Sequence, residues 1–330
     1  MSEKTRKYRV LFVDDEPRVT SALKAIFRRE YAVTVANSGA MALEIMQGQE
    51  FDVIVSDQRM PGMLGNQLLA EVFKLYPQTM RILLTGFMDK KAIVDSINQG
   101  EVYRFINKPW RNDEMREVVA EAALASEIPV EQTNWETQSD ESKPPIASNS
   151  EETPASTPSA LPKSDKNNAI LMMEQAQDIR TKIRRFCSDH SIMIYGTQNV
   201  EQAVAAATSR ENIGVAVIEL SNDTRSALQT INLLKQARPE LITIALADEY
   251  DAHTAVDLIN QGQVFKYLAK PIDLGGFEKA IENAFVKHRF LKKNTAAQRR
   301  FKVEKNREKI VSGLKGMFSR LLGSNAQKTT

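Results

Sequence analysis

Five side chains at four places in the first third of the chain are fit for phosphate chemistry, and each place lies at the end of a short apolar run. Asp14 and Asp15 follow Arg9-Val-Leu-Phe-Val13. Asp57 closes Phe51-Asp-Val-Ile-Val-Ser-Asp57, Thr85 follows Arg81-Ile-Leu-Leu84, and Lys108 comes just after the run Val102 to Ile106. Three carboxylates in one pocket repel one another unless a hard cation sits among them. A few oxygen donors suit Mg²⁺, which keeps several waters and also binds phosphate. A carboxylate is a competent nucleophile toward phosphorus, with an aspartyl-phosphate as the covalent product. Lys108 would neutralise phosphoryl charge as a point charge, and Thr85 would donate its hydroxyl hydrogen to a phosphoryl oxygen. An Asp after a strand is by itself most often a turn or capping residue, so the partners decide.

Those partners converge only if the runs between them are strands of one sheet. Arg9 to Val13, Tyr31 to Val35, Val53 to Asp57, Arg81 to Leu84 and Val102 to Ile106 read as five strands. Between them lie helical stripes: Val19, Leu23, Ile26 and Phe27 behind Pro17, then Ala42, Leu43 and Met46. Leu68, Leu69, Val72 and Phe73 form the third stripe, Ile93, Val94 and Ile97 the fourth, and Met115, Val118, Val119 and Ala122 the fifth. Alternating strands and helices predict an α/β fold, a doubly wound five-stranded parallel (βα)5 domain. The carboxyl ends of such strands share one edge, where open sheets of this kind hold their chemistry.

Over roughly residues 7–125 the chain resembles a CheY-type receiver domain of two-component response regulators. The resemblance rests on Asp14-Asp15, on Asp57-Gln-Arg-Met-Pro-Gly62, on Thr85-Gly86 and on Lys108-Pro109, in that order. It implies that Asp57 accepts phosphate from a sensor histidine kinase or phosphotransfer protein. It implies Mg²⁺ held by Asp15, Asp57 and the backbone carbonyl of Arg59, with Asp14 acting through water. Thr85 and Phe105 match the family's switch pair beside Lys108, Phe105 lacking only a tyrosine hydroxyl. Phosphorylation would draw Thr85 inward and move Phe105 with the face built from the fourth helix, fifth strand and fifth helix. Arg59 and Phe87 stand where the family tunes phosphate lifetime, the plain alternative being a solvated charge and a rim hydrophobe. The Tyr103 to Trp110 run resembles receivers attached to cyclic-di-GMP enzymes, a hint about pathway only.

From residue 127 to 168 the apolar pattern fails and Pro, Ser, Thr, Glu and Asn dominate. Such a stretch cannot offset its ordering entropy by burial. It predicts a disordered tether, ~35 Å between its ends as a flexible coil, that leaves the flanking domains to move almost independently. Beyond it the first domain returns. Asn98-Gln-Gly-Glu-Val-Tyr-Arg-Phe-Ile-Asn-Lys-Pro109 is echoed by Asn260-Gln-Gly-Gln-Val-Phe-Lys-Tyr-Leu-Ala-Lys-Pro271. Carried back without a gap, the register sets Glu219 opposite Asp57, Ala247 opposite Thr85 and Lys270 on Lys108; separately, where the first domain has Asp14-Asp15, this one has Met173-Glu174. Residues 169–292 therefore read as a duplicated fold whose second site, Glu174, Glu219 and Lys270, is degenerate. Glu219 beside Lys270 can mimic a permanent phosphoryl group or simply pair with the lysine. The second reading is preferred because Ala247 cannot complete a switch.

Residues 293–330 form a basic tail. From Lys287 to Thr330 there are thirteen Lys or Arg against two Glu, a net of +11. Ile310, Val311, Leu314, Met317, Phe318, Leu321 and Leu322 fall on one helical face, weakened by Gly313 and Gly316. Three occupants fit a basic amphipathic stripe at 309–322: an anionic membrane surface, a partner's groove or a second copy. Packing on the chain's own second domain is the fourth reading, and nucleic acid is the weakest, since no recognised reading module is present.

The whole chain of 330 residues balances 44 basic against 42 acidic side chains. Its one cysteine excludes an intramolecular disulfide and fits a reducing compartment. Its three histidines lack metal-ligand spacing. The polar start has no signal core behind it, and no run approaches the ~20 apolar residues of a membrane span. The expectation is a cytoplasmic response regulator, peripheral at the inner membrane face if the tail docks there. It would signal through contacts with a downstream protein rather than by binding DNA or by an enzymatic output, and would catalyse only its own phosphorylation and dephosphorylation. The rivals are a phosphate sink that drains a shared kinase and an unphosphorylated scaffold. Deleting 127–330 would separate sink from switch.

Overall fold

A computed structural model describes residues 6–86, 90–98, 102–128, 168–174, 176–220 and 224–298. The first sheet consists of β1 (Arg9–Val13), β2 (Ala32–Ala36), β3 (Val53–Asp57), β4 (Met80–Thr85) and β5 (Arg104–Asn107). All pairings are parallel, in the order β2-β1-β3-β4-β5. Helices α1 (Pro17–Phe27), α2 (Gly39–Gly48), α3 (Gly65–Leu75), α4 (Lys90–Asn98) and α5 (Asn112–Ser126) follow the strands in turn. Side chains alternate across the pleat. Val10 and Phe12 pack with Leu23, Phe27, Val119 and Ala122 on one face, while Leu11 and Val13 pack with Ala42, Met46, Leu68 and Leu69 on the other. Burial on both faces is why the central strands read as unbroken apolar runs.

The fold repeats. The second sheet holds β6 (Ala169–Met173), β7 (Met193–Gly196), β8 (Ile213–Glu219), β9 (Ile242–Ala247) and β10 (Lys266–Ala269), in the order β10-β9-β8-β6-β7. Its helices are α6 (Gln177–Asp189), α7 (Val200–Ser209), α8 (Thr224–Ala237), α9 (Ala252–Gly262) and α10 (Leu274–Lys293), with a short α11 (Thr295–Gln298) behind them. Asp57 pairs with Leu84 on the neighbouring strand and Glu219 with Leu246, so the two acids hold the same place. The first strand does not keep that spacing. Val10 lies opposite Val53 but Ile170 lies opposite Val215, so the second domain is two residues longer between these strands. The pairing of Met173-Glu174 with Asp14-Asp15 is therefore out by one residue: Met173 stands where Val13 does and Glu174 where Asp14 does.

The two domains are not independent. The α4 and α9 helices pack on one another, and one continuous apolar cluster takes in Val94, Ile97 and Phe105 with Val256, Ile259 and Tyr267. The α10 helix runs through Phe290 and Leu291 as the sequence suggests. Most of the tether, residues 129–167, lies outside the described residues, as do the tail stripe at 309–322 and Phe87.

Candidate functional site

The first sheet brings the expected residues to one edge. Asp14 follows β1 and is buried, and its Oδ1 accepts the backbone N–H of Glu16 at 2.9 Å just before Pro17 opens α1. Asp57 ends β3, also buried, with Oδ2 accepting the backbone N–H of Arg59 at 3.2 Å. Asp15 is exposed at the rim. Carboxylate oxygens of Asp14, Asp15 and Asp57 all lie within 4.8 Å of one another. Lys108, on the loop after β5, reaches Asp57 Oδ1 at 2.8 Å and Asp14 Oδ2 at 3.0 Å. Its backbone N–H donates to the carbonyl of Thr85 at 2.8 Å, which ties the lysine loop to the end of β4. Thr85 is itself buried. An open cleft of about 300 Å³ is lined by Asp15, Asp57, Arg59, Thr85 and Lys108 among others.

The electrostatics follow from this packing. Burial works against the Lys108 ammonium, but hydrogen bonds and charge from Asp57 and Asp14 outweigh it and hold its pKa above the ordinary value. Trp110 lies 5.9 Å from the ammonium across its ring, close enough to report on the site. Three hard oxygen donors of one sign, countered by a single lysine, form a set that fits Mg²⁺. Phe105 is buried on β5, three residues before the lysine.

A family model for the response regulator receiver domain matches residues 10–120. Residues 10–120 form a response regulator receiver domain. A receiver domain is a signalling module, here with its acid cluster at the position where such domains bind Mg²⁺. Its relatives include the hydrogenase transcriptional regulatory protein HoxA of Cupriavidus necator, 36% identical over 116 residues, which are 35% of this chain and 24% of that protein. The transcriptional regulatory protein GlrR of Escherichia coli is 33% identical over 127 residues, 38% of this chain and 28% of that protein. The match thus spans about a quarter of the length of these regulators. Among solved structures, the signal receiver domain of an HD domain-containing protein from Pseudomonas fluorescens is 33% identical, covering 38% of this chain and 94% of that one at a TM-score of 0.37.

Against this receiver domain the second site is closed. Lys270 reaches Glu219 in a short ion pair, Glu174 Oε1 at 3.5 Å and Asp248 Oδ1 at 3.4 Å. The lysine side chain is 10% exposed, against 28% for Lys108. Glu174 Oε1 accepts the backbone N–H of Ala176 at 2.8 Å, the same turn that Asp14 makes with Glu16. Burial, reinforced by the neighbouring Glu219, pushes the Glu174 carboxyl up to about 7. Burial opposes the Lys270 ammonium, yet the hydrogen bond it donates to Glu219 and the charge of the surrounding carboxylates keep its pKa raised. Among the described residues no second group of acids comes together as Asp14, Asp15 and Asp57 do.

Sequence reasoning missed three features. Asp248 joins the second site from the loop after β9. Gly65 lets α3 start against the Asp57 carbonyl, where any β-carbon would collide. Asn98 and Asn260 each bind the backbone of the other domain. Only the last left a signal, since both open the repeated Asn-Gln-Gly segment.

Proposed function

We propose that this protein is a two-component response regulator that takes a phosphoryl group on Asp57 from a histidine kinase or phosphotransfer protein. The observation that carries the reading is the pairing of Asp57 and Lys108 at 2.8 Å in a cleft open to solvent, with two further carboxylates beside them. An oxygen of Asp57 attacks phosphorus, the oxygen–phosphorus bond forms, and the phosphorus–nitrogen bond of the phosphohistidine breaks with its electron pair left on the imidazole. Asp14, Asp15, Asp57 and the Arg59 carbonyl would hold Mg²⁺, which supplies charge neutralisation for the phosphoryl oxygens. Lys108 offsets charge on the transferred group, and the Thr85 hydroxyl donates to one of its oxygens. Because the Thr85 carbonyl holds the Lys108 backbone, movement at Thr85 passes directly to the end of β5 and to Phe105.

The second domain is read as a degenerate receiver. Its fold and its lysine persist, and Lys270 is engaged by Glu174, Glu219 and Asp248 rather than left to meet a phosphoryl group. The output is read as a protein–protein contact through α4 and β5, a face that already carries such a contact within the chain. HoxA and GlrR are transcriptional regulators by their descriptions, and what this chain matches is 24% and 28% of their lengths.

The test is titration with beryllofluoride and Mg²⁺, read by Trp110 fluorescence after Trp135→Phe. Wild type and Glu219→Ala should respond, and Asp57→Ala should not. A response that survives in Asp57→Ala would sink the assignment.

A further inference from the structure

Gln58, the residue after Asp57, is only 2% exposed, and both its backbone and its side chain are engaged. Its N–H donates to the Leu84 carbonyl on β4 at 3.0 Å, and its carbonyl accepts the Gly65 N–H at 3.0 Å where α3 begins. Its carboxamide closes on the next residue of that helix. Oε1 accepts the Asn66 N–H at 3.1 Å, and Nε2 donates to Asn66 Oδ1 at 3.2 Å. The first N–H groups of a helix have no partner within it, and a Ser, Thr, Asp or Asn just before the helix ordinarily takes one. Here that place is held by Leu64, whose side chain accepts none. Gln58 caps α3 instead, from the end of the strand that carries Asp57.

The loop between strand and helix is thereby a closed ring, pinned at both ends through one residue. Arg59 is the first residue inside it, and its N–H donates to Asp57 Oδ2 at 3.2 Å. We propose that Gln58 is a positioning residue of the metal site: its carboxamide, tied to the start of α3, fixes the loop that presents the Asp57 carboxylate and the Arg59 carbonyl to Mg²⁺. The proposal rests on the reading of those two groups as Mg²⁺ ligands. The second domain supplies the contrast. Leu220 follows Glu219, is also 2% exposed, and makes the same backbone bond, to the Leu246 carbonyl at 2.8 Å. It has no polar side chain to offer, and α8 starts instead at Thr224, whose hydroxyl donates to the Leu220 carbonyl at 3.1 Å. A buried leucine thus serves this place in the copy whose acids are closed on a lysine. The fold alone does not call for a carboxamide there; the open acid cluster does.

The test is Mg²⁺ titration of the full-length chain with no phosphate donor, in a Trp135→Phe background, read by Trp110 fluorescence beside urea unfolding of the same proteins. Gln58→Met keeps the length of the side chain without its hydrogen bonds and should weaken Mg²⁺ binding on the order of tenfold, as the loss of groups that orient metal ligands does. Adding Leu64→Ser gives α3 an ordinary cap. The pair Gln58→Met/Leu64→Ser should regain the urea midpoint and leave Mg²⁺ binding weak, which a role in helix capping alone would not do. Asn66→Ala keeps its N–H and loses only the Nε2 partner, so it should weaken binding by a smaller factor, and it serves if Gln58→Met fails to fold. Wild-type Mg²⁺ affinity in Gln58→Met, or in Asn66→Ala where the methionine variant does not fold, overturns the proposal and leaves the metal reading standing. So does full recovery of binding through Leu64→Ser. A wild type that binds no Mg²⁺ overturns the metal reading and the proposal together.

Discussion

The two sites share a backbone, a strand register and a lysine, and they differ in what the lysine is free to do. In the first, Lys108 spans two aspartates and remains 28% exposed, with Asp15 at the rim. In the second, Lys270 is held by three carboxylates and is 10% exposed. Glu219 and Glu174 are each one methylene longer than the aspartates in their places, and Asp248 adds a third carboxylate around the ammonium. The same fold is thus an open, charged cleft in one copy and a closed ion cluster in the other. Charge repulsion among the acids is the price of the first; enclosure of the lysine by a third carboxylate accompanies the second.

Removing each lysine is the strongest way to sharpen this contrast. Lys270→Ala would strand Glu174 and Glu219 without their counter-ion, and breaking a mostly buried pair costs roughly 3–5 kcal/mol. Lys108→Ala leaves a more solvated cluster that also fits a hard cation, so added Mg²⁺ should restore its stability by mass action. Urea unfolding followed by Trp110 fluorescence for the first domain and by circular dichroism for the second would show it. Rescue of Lys270→Ala by Mg²⁺ would break the comparison.

A smaller effect is expected where α3 begins. A β-carbon on Gly65 meets the backbone carbonyl of Asp57 and the Leu83 side chain, neither of which can yield without moving β3 or β4. Gly65→Ala should cost about 2 kcal/mol, in the range of overpacked cores, and should weaken the beryllofluoride response through displacement of Asp57. By the repeat, Ala227 of α8 holds the corresponding place. Ala227→Gly should change second-domain stability only by what a helix glycine costs, ~1 kcal/mol.

Much of this was legible in the sequence, for physical reasons that differ from residue to residue. Strands β1 and β6 begin and end where the apolar runs do, at Arg9–Val13 and Ala169–Met173, because central strands are buried on both faces. The first site was legible because each of its residues closes such a run or follows it within two residues. The place of Glu174 was not legible to the residue, because the segments between the first and third strands carry no repeated motif to fix the alignment and hold two more residues in the second domain. Asn98 and Asn260 were illegible as contacts. A polar residue at a helix end ordinarily caps or meets water, and only the opposed strand edges of β5 and β10 give these two another use. Lys235 was illegible too. It reads as the polar side of α8, yet it is fully enclosed and burial pulls its ammonium down to about 7.

The finest distinction between the sites is in their response to pH. Glu174 titrates ordinarily at 4.5 and is raised to about 7 in the folded domain, chiefly by burial. Between those values the folded chain keeps a proton that the unfolded chain has released. Stability from this group is therefore full below about 4.5 and is lost as pH rises through 7. Glu174→Gln keeps the hydrogen-bonding shape without the charge, so it should remove that slope and stabilise the second domain at pH 8 by on the order of 1 kcal/mol. The gain is held to that size because the same change takes one carboxylate from Lys270, which keeps Glu219 and Asp248. Circular dichroism melts of wild type and variant at pH 5.5 and pH 8 would read the difference directly. Parallel curves at both values would mean that Glu174 is ionised throughout, and that the second cluster is a solvated ion network like the first rather than a closed one.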